Sequence, residues 1–132
     1  MSNPKYNVVM CNEGWKKLYQ PIIDKVLNYD ELTYLLEDKI GIRSIDCVDG
    51  IMEIKLINPH NATEDLKKEI TCAENLSSRT CEYCGETKNV GTTMNFFYKT
   101  CCKACWEKHI LPHYFQSIWK DYTTNIHHKK EK

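Results

Sequence analysis

Two Cys-x-x-Cys pairs are the residues of this chain best suited to chemistry. Cys81-Glu82-Tyr83-Cys84 is followed by Gly85, and after an interval of seventeen residues comes Cys102-Lys103-Ala104-Cys105. A two-residue gap lets both thiolates turn toward one ion while backbone N–H groups point at the sulfurs. Glycine after the second cysteine supplies the backbone freedom such a knuckle needs. Four thiolates around a tetrahedral centre favour zinc among the metals of the cytosol. A catalytic zinc keeps one position open, whereas four thiolates close the site, so the spacing predicts one structural Zn2+. Its role would be to hold a segment that cannot fold alone.

Cys101 competes with Cys102 for the third place, but a Cys101–Cys105 pair has three intervening residues, so the gap favours Cys102. Cys11, Cys47 and Cys72 are far apart and read as small buried side chains. The first residues, Met1-Ser2-Asn3-Pro4-Lys5, do not resemble a signal peptide, and no apolar run reaches the length of a membrane span. The expected setting is therefore the cytoplasm, where paired cysteines bind metal in preference to forming disulfides.

Enzymatic chemistry finds less support. His109 and His113 share a helix face at i,i+4 spacing with Glu107 nearby, but no HExxH motif accompanies them. A treble-clef nuclease of the His-Asn-His type needs a histidine on the hairpin between the ligand pairs, and none lies between Cys84 and Cys102. His127-His128 belong to the polar tail. The expectation is a non-enzyme.

Candidate contact residues surround the metal pairs. Lys88, Lys99, Lys103 and Lys108 are interleaved with Phe96, Phe97 and Tyr98, a combination that could grip phosphates and stack on bases or contact a protein partner. Arginine, with its bidentate fork, occurs only as Arg43 and Arg79. Eighteen basic side chains balance eighteen acidic ones overall. Residues 1–80 hold ten basic and thirteen acidic groups, and residues 81–132 hold eight and five. An imbalance this small does not mark a nucleic-acid protein. The expected partner is another protein, nucleic acid is the alternative, and a membrane is not expected.

The elements that position these residues form an α+β fold: a small β-hairpin packed by helices, then a treble-clef-like zinc module ending in a helix. Trp15, Leu18, Tyr19, Ile22, Ile23, Val26 and Leu27 recur at helical spacing, interrupted by Pro21. Asp30-Glu31 could start a short helix from Leu32 to Ile40. Runs from Ile42 and from Ile51 flank Asp49-Gly50, a strong hairpin signal, and a third strand is expected from the stretch after Cys84. A helix from about Ala62 to Ser77 carries Leu66, Ile70, Ala73 and Leu76 on its apolar stripe. Within the module, Gly91-Thr92-Thr93 and Phe96-Phe97-Tyr98 suit a hairpin, and helical spacing runs from Trp106 to Trp119. The expected division is residues 1–80, a module over 81–124 packed on it, and a frayed polar tail over 125–132.

The segment Ala73-Glu74-Asn75-Leu76-Ser77, then Thr80-Cys81-Glu82-Tyr83-Cys84-Gly85, then Thr100-Cys101-Cys102-Lys103-Ala104-Cys105 resembles small zinc-binding proteins of bacteriophages and bacterial genomes. Their signature is an AE-x-x-S helix entering a TCE-x-CG knuckle, followed by a T-x-C step and a last ligand. That ligand is often histidine where this chain has Cys105, and either residue binds zinc. Gly14-Trp15 resembles the family's leading Gly-Trp, and Asp38-Lys39-Ile40-Gly41 resembles its KEKFG strand start loosely. The resemblance implies a compact phage-type accessory protein and attaches no activity to it.

Overall fold

The computed structural model describes residues 9–94 and 98–121. Helix α1 (Lys16–Glu31) is entered through a 3-10 turn, Glu13–Trp15, and buries Tyr19, Ile22, Ile23 and Val26 beside Trp15. It runs through Pro21 unbroken. Pro21 and Lys17 are both exposed, so the carbonyl that loses its N–H partner lies on the water side of the helix.

Strands β1 (Ile42–Val48) and β2 (Ile51–Leu56) form the hairpin, closed by Asp49 and Gly50 at φ 53° and 82°. Two positive φ angles in succession make the tight turn whose twist matches the strands. Ile45, Met52 and Ile54 are buried on one face. Helix α2 (Glu64–Ser77) packs along β2, and α1 packs on α2 and β1. Thr63 caps α2 by accepting a hydrogen bond from the Leu66 N–H at 3.1 Å.

The third strand expected for this sheet does not join it, because both edges are taken. On the β1 side, Val9 bridges Ile45 in parallel and the Met10 N–H donates to the Ile45 carbonyl at 2.8 Å. On the β2 side, the Met52 N–H donates to Ser77 Oγ at 2.8 Å and the Ile54 N–H to Glu74 Oε2 at 2.9 Å. The AE-x-x-S pattern thus has a physical reading: Ala73 packs in the core while Glu74 and Ser77 cover an edge that would otherwise recruit another strand. Ser77→Ala should leave the buried Met52 amide unpaired and cost about 1–3 kcal/mol. Hydrogen exchange checks this by faster exchange at Met52 than at its strand neighbours.

Three further expectations are corrected. Residues 32–40 form a loop with one 3-10 turn, Leu36–Asp38, because the Asp30 carboxylate accepts from the Ile40 and Gly41 N–H groups and ties the loop ends together. Leu76 points outward, 47% exposed, and Ser77 takes the buried place at the end of α2. Cys72 is exposed, and Cys11 and Cys47 are only half-buried.

The second sheet has the order β4-β3-β5, built from β3 (Val90–Met94), β4 (Thr100–Cys102) and β5 (Ile118–Asp121). Between β4 and β5 lies a short helix: one α turn, α3 (Lys103–Cys105), widens to π geometry over Trp106–Ile110. Knuckle, hairpin and helix follow in treble-clef order. The helical spacing expected through Trp119 stops at Ile110, two residues before Pro112, which has no N–H to continue it. Ile118 and Trp119 instead pair with Met94 and Thr93 as a strand. Phe96, Phe97 and the tail from residue 125 lie outside the described residues.

Candidate metal centre

Each of the four cysteines is placed by a different local device. At the end of α2 the Thr80 hydroxyl donates to the Leu76 carbonyl, which turns the chain out of the helix. The Cys81 N–H then donates to the Glu86 carbonyl and the Gly85 N–H to the Cys81 carbonyl, closing the knuckle. Gly85 sits at φ 81°, where a side chain would be strained. Cys102 ends β4, and Cys105 lies one turn into the helix that follows.

The four sulfurs lie within 4.8 Å of one another, and no other group of three or more such ligands occurs among the described residues. Cys84 Sγ and Cys102 Sγ are 3.8 Å apart. A tetrahedral ion with metal–sulfur bonds of about 2.3 Å has edges of about 3.8 Å. A disulfide would need about 2.05 Å. The spacing therefore suits four thiolates on one ion. Cys81, Cys102 and Cys105 are buried, and Cys84 closes the site from the exposed side.

Electrostatics agree with that arrangement. Burial opposes a charge on Cys81, but the N–H groups of Cys84, Cys102 and Tyr83 point at its sulfur and hold the thiol below its ordinary range. Burial, with the neighbouring thiols, pushes Cys84 and Cys105 up. Four thiolates cannot share so small a volume without a cation.

The choice between Cys101 and Cys102 follows from strand alternation, which sends neighbours to opposite faces. Cys102 faces the cluster, whereas Cys101 lies fully buried outside it, and its carbonyl accepts the Trp119 indole N–H at 2.9 Å. Burial, then the charge of Cys81, hold the Cys101 thiol protonated.

Glu82, between the first two ligands, is the residue whose role the sequence concealed. Its side chain is fully buried. Oε1 accepts from Asn12 Nδ2 at 2.8 Å and Lys99 Nζ at 3.2 Å, and Oε2 from the Thr100 N–H at 3.4 Å and Cys47 Sγ at 3.7 Å. One carboxylate thereby joins the N-terminal segment, the first hairpin and the metal module. The backbone reinforces it: Gly14 N–H donates to the Glu82 carbonyl at 2.8 Å, and Trp15 Nε1 to the Thr80 carbonyl at 2.8 Å. A Cβ on Gly14 would overlap the Cys81 carbonyl oxygen and the Glu82 carbonyl carbon. Both are backbone atoms that cannot swing aside. Gly14→Ala is expected to cost about 3 kcal/mol, at the upper end of overpacking effects, read as a lower denaturation midpoint at unchanged slope.

The candidate contact residues separate into groups. Lys99 pairs with the buried Glu82 and is about a quarter exposed. Lys88, Lys103 and Lys108 line a cleft of about 780 Å³ whose floor includes Cys84, Cys102, Cys105 and Trp119. Glu86 and Asp121 line the same cleft. Tyr98 is exposed. His109 stacks on Tyr83 with ring centroids 4.6 Å apart and 15° between planes, while His113 is exposed, and the two share no ligand cluster.

No protein-family model matches the chain, and neither a curated protein nor a solved structure matches it.

Proposed function

We propose that this chain is a non-enzymatic, zinc-stabilised accessory protein of phage type, acting in the cytoplasm by binding another protein. The observation that carries the reading is the closure of all four sulfurs on one point. Thiolates at tetrahedral spacing suit zinc by softness and geometry, and a site filled by protein ligands offers no position to a substrate. Zinc here would hold the knuckle, the hairpin and the short helix together and supply no reaction step. No helix among the described residues is long and apolar enough to cross a membrane. Large apolar side chains stand in water at several places, Leu32, Tyr34, Leu36 and Phe115 among them, as expected of a protein that buries them against a partner.

Nucleic acid is the alternative suggested by the lysine-lined cleft. A zinc ion with four thiolates carries a net charge of −2. Together with Glu86 and Asp121 it more than offsets Lys88, Lys103 and Lys108. The lysines then act as counter-charges to the metal centre rather than as a grip for phosphates. Titration with single-stranded DNA and RNA oligonucleotides at two salt concentrations tests the choice. Weak binding without sequence or strand preference supports a protein partner. Tight binding that falls steeply with salt would require the nucleic-acid reading instead.

A further inference from the structure

The loop between α1 and β1 holds its large apolar side chains in water. Leu32 is 85% exposed, Tyr34 100% and Leu36 80%, with Tyr29 and Leu35 also exposed. Scattered exposed apolar residues are ordinary, but here five fall within eight consecutive positions, from the last turn of α1 into the loop. The backbone beneath them is fixed. The Asp30 carboxylate accepts from the Ile40 N–H at 2.8 Å and the Gly41 N–H at 3.0 Å, and Asn61 Nδ2 donates to the Glu37 carbonyl at 2.8 Å. Thr33 Oγ1 donates to the Tyr29 carbonyl at 2.8 Å. An apolar patch on an ordered backbone loses little further entropy when it docks.

Charge narrows what can cover it. Glu31, Glu37 and Asp38 are exposed among the apolar residues, and the one lysine of the segment, Lys39, turns its ammonium inward to the Asp30 carbonyl at 2.9 Å. Three carboxylates repel phosphate backbones and anionic lipid surfaces, and they repel the same face of a second copy. The complementary surface is apolar at its centre and basic at its rim.

We propose that residues 29–38 are the docking surface for another protein, which receives Leu32, Tyr34 and Leu36 in an apolar groove bordered by lysine or arginine. This rests on the protein-binding reading above and adds the face and the chemistry of the partner. The test places a photoreactive side chain in the full-length chain in its producing cells, as Tyr34→benzoylphenylalanine and, separately, Phe115→benzoylphenylalanine on the zinc module. Position 34 should capture one protein that position 115 does not, through a peptide of apolar residues flanked by lysine or arginine. With that protein purified, Leu32→Ser with Leu36→Ser should weaken binding about tenfold or more. Glu31→Lys with Glu37→Lys and Asp38→Lys should weaken it several-fold and abolish its loss with salt. These positions are exposed, so metal content and fold should be unchanged in both variants. Capture at position 34 of a second copy, a lipid, a nucleic acid or an acidic-rimmed site would overturn the proposal. Capture from position 115 alone would overturn the assigned face and leave the protein-binding function standing. Capture from neither position would overturn both.

Discussion

Removing the metal, by a strong chelator or by Cys105→Ser, is expected to unfold the C-terminal module and to lower the stability of the whole chain. The buried cluster of the module consists of Cys81, Val90, Cys101, Cys102, Cys105 and Ile110, so only two of its six members are aliphatic. Such a core cannot offset the conformational entropy of ordering some forty residues. Zinc bound by four thiolates contributes on the order of 10–16 kcal/mol in comparable fingers, which equals or exceeds the entire stability of a typical domain. The loss should spread, because Gly14, Gly50 and Asn12 are each hydrogen-bonded to the module. Far-ultraviolet circular dichroism and denaturant titration with and without chelator read this directly. In the metal-free chain, with the module unfolded, the ligand cysteines are ordinary thiols and hold most of their protons at neutral pH. Zinc uptake should therefore release protons to a pH indicator, and acid should displace the ion by returning them.

Glu82→Leu carries the second large expectation. The substitution removes a buried carboxylate from four donors and breaks the ion pair with Lys99, which is about a quarter exposed. Breaking such a pair costs about 3–5 kcal/mol, mostly from the charge left behind. Glu82→Gln keeps the shape and should cost about 1–3 kcal/mol. Adding Lys99→Met to Glu82→Leu should recover part of the loss, because an apolar pair of similar volume has no stranded charge. Chemical denaturation of the wild type, Glu82→Leu, Lys99→Met and the double variant forms a double-mutant cycle. A cycle that closes additively would mean that the Glu82–Lys99 ion pair contributes nothing to stability.

The parts of the fold legible in the sequence are those with a local cause. The Asp49-Gly50 turn needs positive φ, the two Cys-x-x-Cys gaps need a knuckle, and Leu66, Ile70 and Ala73 recur with the helical period. What stayed hidden depends on distant partners. Asp30 reads as a helix start, yet its carboxylate is engaged by amides ten and eleven residues on, so the chain from Leu32 becomes a loop. Trp106 to Trp119 fits a helical period, but Pro112 ends the helix and β3 offers Ile118 and Trp119 a strand partner. Glu82 looks like a solvated residue between two ligands. Only the approach of Asn12, Cys47 and Lys99, each remote in sequence, makes it a buried hub. Gly14-Trp15 is hidden in the same way, because its role appears only when the glycine meets the knuckle backbone.

The most direct measurement is zinc-edge X-ray absorption on protein purified without chelator or added metal, together with its Cys101→Ser and Cys102→Ser variants. One zinc per chain with four sulfurs at about 2.3 Å is expected, unchanged in Cys101→Ser and lost or reduced to three sulfurs in Cys102→Ser. A metal-free native protein, a nitrogen or oxygen ligand in the wild-type shell, or loss of a sulfur on changing Cys101 would contradict it.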